Sequence, residues 1–218
     1  MLPLTRLWDT RSAERVCTRG GGTPARVARR VHDPHIRASF RSDRAGSLDV
    51  GAVTMSIRQN LSNQLLTIWN GDPWYGSSSS KILAGITATE ALAHPLPGAQ
   101  SIWETVLHMT AWTEEAASRL NGGESNAPAR GDWPPVKGSS QDEWMAAQGD
   151  LLTARKALLK SLEGSHEESL FLQVPKKGEA THSSGTTRAQ TLSGLADHDI
   201  YHLGQIALLK KSLKSARP

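Results

Sequence analysis

The chain has 218 residues, of which 38% are hydrophobic and 21% charged, enough for one domain of ordinary size with length to spare. No apolar run approaches a bilayer-spanning length and no compact apolar segment follows the N-terminus, so neither a membrane partner nor a secretory signal is expected. The single cysteine, Cys17, leaves no internal disulfide and no thiolate metal site, and a reducing cytoplasm suits it best.

The net charge of +4 is unevenly placed. Residues 1–54 carry ten Arg, no Lys and five acidic residues, a balance of +5. The rest of the chain carries 15 basic and 16 acidic groups, a balance of −1. The basic character therefore belongs to the first quarter and says little about the partners of the folded part. That quarter has no sustained periodicity, a Gly20–Gly22 run, and breakers at Pro3, Pro24 and Pro34. It reads as a disordered extension. A nucleic-acid-binding arm, a transit peptide and an upstream stretch before a true start at Met55 compete to explain it. The acidic residues count against a transit peptide. Arg without Lys favours Met55 as the start, so no nucleic-acid partner is expected. His32 and His35 are not taken as ligands.

A domain is expected over 55–218. Ile57, Leu61, Leu65, Leu66 and Ile68 recur at helical spacing until Asn70-Gly-Asp-Pro73 stops the run. A shorter apolar segment at Lys81–Ile86 leads to a proline-rich turn at His94–Gly98, beside which His94 should be solvated. The next helix spans 101–120, with Ser101 and Glu104 as a capping box. Its apolar face holds Ile102, Trp103, Val106, Leu107 and Met109. His108 falls on another face with Glu104, Ala111, Trp112 and Glu115, a surface or boundary position on the wheel.

Asn121-Gly-Gly123 ends that helix, and a loop runs through Asp132-Trp-Pro-Pro135. Ser140 and Glu143 cap a third helix, whose Trp144, Ala147, Leu151, Ala154 and Leu158 form a three-four seam reaching about Leu162. After Gly164 a loop of roughly twenty residues is expected, broken only by apolar Leu170–Val174, and loops that long are often functional. His166 and His182 should be solvated there. Seven Trp against two Phe and two Tyr suggest a core built largely on indoles.

The final helix, Thr191–Lys211, carries Leu195, His198, His202, Gln205 and Leu209 along one seam. Two imidazoles four apart lie about one turn from each other and can grip one ion. The plain alternative is a pair of satisfied core histidines. Gln205 weighs against it, because three polar side chains in a buried seam must all find partners. Asp197 and Asp199 point to other faces, as solvated groups or interhelical partners. The coarse picture is all-α: four main helices with no strand, in a four-helix bundle.

Several stretches together resemble the DinB-like (YfiT-type) superfamily of metal-binding four-helix bundles. They are Gly98–His108 with Trp112, Asp132-Trp-Pro135 with Trp144, and most specifically Leu195-Ala-Asp-His-Asp-Ile-Tyr-His-Leu-Gly-Gln-Ile206. The resemblance covers roughly 56–212. It implies a metal site made by His108, His198 and His202, which would turn His108 inward. Three neutral imidazoles leave coordination positions open, as in catalytic sites. The expected cofactor is a divalent transition metal, Zn or Ni, and the family often forms homodimers.

Two chemistries suit such a site. A metal-acidified water could hydrolyse an electrophile, or a low-molecular-weight thiol could be activated for transfer to a small-molecule electrophile. The resemblance favours the transfer, since the superfamily includes thiol-dependent transferases and isomerases. Glu104, one turn before His108, is the catalytic candidate, as acceptor for His108, further ligand or general base; otherwise it is simply the cap. Gln205 could orient a ligand or tie down His202, and Tyr201 is a weaker candidate for the same task. Metal binding without turnover, in a sensor or accessory protein, is the non-enzymatic alternative.

Overall fold

The computed structural model describes residues 55–215, with the backbone alone for 179–184. The Arg-rich extension, Cys17, His32, His35 and the side chain of His182 lie outside the described residues.

Each main helix begins where a side chain can satisfy the free N–H groups of its first turn. Ser56 and Gln59 form a capping box at α1 (Ile57–Asn70). Gly71 ends α1 by donating to Leu66 and Thr67 carbonyls, and Pro73 prevents continuation. Two short helices, α2 (Ser79–Leu83) and α3 (Ala88–Leu92), then make the crossover, with Thr87 and Glu90 boxing the second. Ser101 and Glu104 cap α4 (Ile102–Leu120), and Ser140 and Glu143 cap α5 (Gln141–Glu163). Such a cap contributes about 1 kcal/mol.

The long loop expected after Gly164 is instead structured. A 3-10 turn at Glu167–Phe171 buries Leu170 and leads into an antiparallel hairpin, β1 (Gln173–Lys176) and β2 (Glu179–Thr187). Gly178, at φ 70°, makes the turn. Gln173 pairs with Thr187 but Pro175 with Ser183, so β2 carries extra residues between the pairs. Gly185, at φ 79°, lies within that bulge. Helix α6 (Arg188–Ser215) starts directly from β2, earlier than Thr191, because Thr187 and Gln190 exchange two hydrogen bonds of 2.8 and 3.1 Å.

Helix α4 packs chiefly against α5 and α6, and α1 lies on α6. Leu65, Ile102, Met109, Trp144, Leu158, Leu192 and Ile206 are all fully buried between them. Each such side chain contributes about 1.5–3 kcal/mol. Indoles supply only part of this core. Trp103 and Trp144 meet at 5.3 Å, and Trp144 Nε1 donates to the Ile86 carbonyl at 2.8 Å. Trp74, in contrast, is 95% exposed.

One polar junction ties three helices. Asp199 of α6, wholly buried, accepts from Trp69 Nε1 of α1 at 2.5 Å and from Arg155 Nη2 of α5 at 3.1 Å. It is an interhelical partner, while Asp197 is exposed. Among the described residues no helix is long and apolar enough to cross a membrane.

Candidate metal centre

Helix α4 is buried on more sides than its apolar face requires. Thr105, Thr110 and Thr113 enter the interior because each hydroxyl donates to the carbonyl four residues back, at 2.8 Å. His108 is buried too, contrary to its surface position on the wheel. The cause is the loop after α4, which lays Trp133 flat on the imidazole at 3.9 Å and 10°. A wheel registers neighbouring helices but not a loop folding back over the opposite face.

Helix α6 brings His198 and His202 to the same point. His108 Nε2 lies 3.0 Å from His198 Nε2, and His202 Nε2 lies 3.1 Å from it. The ligand atoms of the three side chains all lie within 4.8 Å of one another. The outward nitrogens decide the tautomers. His108 Nδ1 faces the Asp132 carbonyl at 2.6 Å, and His202 Nδ1 faces Gln205 Oε1 at 2.7 Å. Both oxygens can only accept, so both Nδ1 atoms carry protons and both Nε2 atoms present bare lone pairs. His198 Nδ1 is buried without a partner among the described residues. Whichever nitrogen of His198 holds its proton, at most one of the converging lone-pair contacts is satisfied. A cation at the convergence would satisfy all three, so the donor set fits a divalent ion.

The imidazoles are kept neutral. Burial, then the His202 and His108 rings, pushes His198 down to about 3. Burial and His108 push His202 down to about 4, and burial lowers His108 against the pull of Asp132. Neutral imidazole is the form that ligates.

Further aromatic rings surround the cluster. Trp112 stands 6.1 Å from His198 and Tyr201 5.0 Å from His202. Trp112 Nε1 donates to Asp132 Oδ1 at 2.8 Å, and the same oxygen lies 3.4 Å from His108 Nδ1. Asp132 therefore supports His108 through its backbone and its carboxylate. Sequence reasoning assigned no role to Asp132 or Trp133 individually; the signal was that Asp132-Trp-Pro135 is one of the stretches carrying the family resemblance.

Glu104 is engaged elsewhere. Its Oε2 accepts from Ser101 N at 2.7 Å and meets His94 Nε2 at 3.0 Å. Burial raises this carboxyl, but the Ser101 hydrogen bonds and His94 outweigh that and hold it below the usual range. Gln205 is exposed yet secures His202, one of the roles its spacing suggested. His94 and His166 are exposed. The largest groove described, about 620 Å³, is lined by residues such as Trp103, Pro134 and Lys137 and by none of the three histidines.

No curated protein and no solved structure was found to match the chain. A family model described as the DinB superfamily matches residues 77–206, a span that takes in all three histidines and the Asp132 loop. With a helical bundle carrying a three-histidine group that could hold a divalent ion, the chain belongs to the DinB superfamily.

Proposed function

We propose that His108, His198 and His202 bind a divalent transition metal, Zn or Ni, and that the protein transfers a low-molecular-weight thiol to a small electrophile. The observation that supports metal binding is the convergence of three Nε2 atoms with two of their opposite nitrogens tied to acceptors. A bound divalent cation would act as a Lewis acid, favouring thiolate over thiol near neutral pH. The chain's own residues set the rest. Asp132 and Gln205 fix two tautomers, Trp133 covers one side of His108, and the depressed histidines need no deprotonation before ligating. The engagement of Glu104 with Ser101 and His94 supports transfer, since a metal-activated thiol makes little demand on a separate base.

Metal-dependent hydrolysis is the second reading, favoured by the Asp132 carboxylate, which is 58% exposed beside His108 and could accept a proton. Two measurements separate the readings. Elemental analysis should find about one metal per chain, falling below about one-tenth in the His198→Ala/His202→Ala double variant. Unchanged metal content in that variant would refute the ligand assignment. Turnover of monochlorobimane with a panel of thiols should depend on the same histidines. Turnover of esters without thiol, and no reaction with any thiol, would favour hydrolysis; no turnover at all would leave a metal-binding protein.

A further inference from the structure

Away from the histidines, a pocket of about 500 Å³ opens between α1, α2 and α5. Leu66, Leu83, Leu151, Leu152, Leu159 and the Trp69 indole give it apolar walls. Among the described residues its charged lining is Arg155 and Lys156, with no carboxylate. Arg155 is only 6% exposed. Its Nη1 donates to Ser79 Oγ at 2.8 Å, its Nη2 reaches Asp199, and its guanidinium stands 4.9 Å from the Trp69 ring centre. Its Nε has no partner among the described residues, so this buried cation retains donor capacity. Lys156 is exposed at the rim and makes no ion pair or hydrogen bond with the described residues.

Volume, apolar walls and a few polar groups of one sign are the attributes of a small-molecule site. Two other grooves among the described residues lack the combination. In the groove of about 620 Å³, the carboxylates Glu143 and Asp150 line the walls beside Arg130 and Lys137, so its charge is mixed. The groove of about 230 Å³ has no charged lining residue. We propose that the pocket between α1, α2 and α5 binds an anionic amphiphile, a carboxylate head drawn to Arg155 and Lys156 with its apolar body against the leucines and Trp69. The site is independent of the metal and of the proposed transfer reaction.

Isothermal titration of the full chain with decanoate and with decanol tests this. Decanoate should bind saturably, one per chain, about tenfold tighter than decanol. Lys156→Glu should weaken decanoate about tenfold and leave decanol unchanged. Gly149→Phe should abolish binding of both, because Gly149 lines the pocket, is exposed, and has nothing within 4 Å of an added Cβ. Both variants spare Arg155, whose removal would strand Asp199 in the interior. His198→Ala should bind decanoate normally, which separates this pocket from carboxylate capture at the metal centre. The proposal is overturned by absence of saturable binding, equal affinity for decanol, indifference to both pocket variants, or loss in His198→Ala.

Discussion

Gln205 holds His202 Nδ1 at 2.7 Å from a position open to solvent, so it can be changed with little disturbance to packing. Gln205→Leu removes the acceptor and releases the tautomer that aims Nε2 inward. Metal affinity should fall about tenfold, the lower end for loss of a ligand's outer partner, as read by competition with a chromogenic chelator. Glu104→Gln should leave that affinity unchanged, because the Glu104 carboxylate binds Ser101 and His94. Equal losses in the two variants would contradict this division of roles. At this scale, the sequence was informative wherever spacing along a single helix decided the outcome. His198 and His202 share a face because α6 puts them one turn apart. His108 and Asp132 meet only through a loop fold that no periodicity encodes, and only resemblance pointed His108 inward.

Among the elements, a buried charge pair joins α5 to α6, and the Trp69 indole ties α1 to the same carboxylate. Asp199→Asn keeps the shape of the junction but leaves Arg155 without its counter-charge. A loss of about 3–5 kcal/mol is expected, and replacing both partners by Leu and Met should recover most of it. Urea midpoints of the single and double variants check this; a double variant no more stable than the single would show that the junction contributes more than charge compensation. The four long helices were legible from apolar seams, and two of them also from Ser-x-x-Glu caps. The hairpin was not. Within β1 only Val174 is buried, and β2 is largely Ser, Thr and Gly, so neither strand shows apolar alternation. What holds them is backbone pairing, extended on one side by Ser125 N donating to the Pro175 carbonyl at 2.8 Å and on another by Arg188 N to Leu172.

For the molecule as a whole, the histidine cluster sets a pH response. In the unfolded chain each imidazole titrates near about 6.5, whereas in the metal-free fold His198 and His202 are pushed down to about 3 and about 4. Between these values the unfolded state binds more protons, so stability is full above the unfolded value and declines as pH falls through it. Chelator-treated protein should therefore melt at a lower temperature at pH 5 than at pH 7.5, and the His198→Ala/His202→Ala variant should show a smaller difference. An equal drop in both proteins would place the acid sensitivity elsewhere. The indole of Trp133, in face contact with His108, gives the centre an optical property of its own. A nickel ion held by that imidazole would sit within quenching range of the excited ring, whereas a closed-shell zinc ion would leave its emission largely alone. Loss of that emission on adding nickel would therefore report occupancy of the histidines by an open-shell ion, while an empty and a zinc-loaded centre would shine alike.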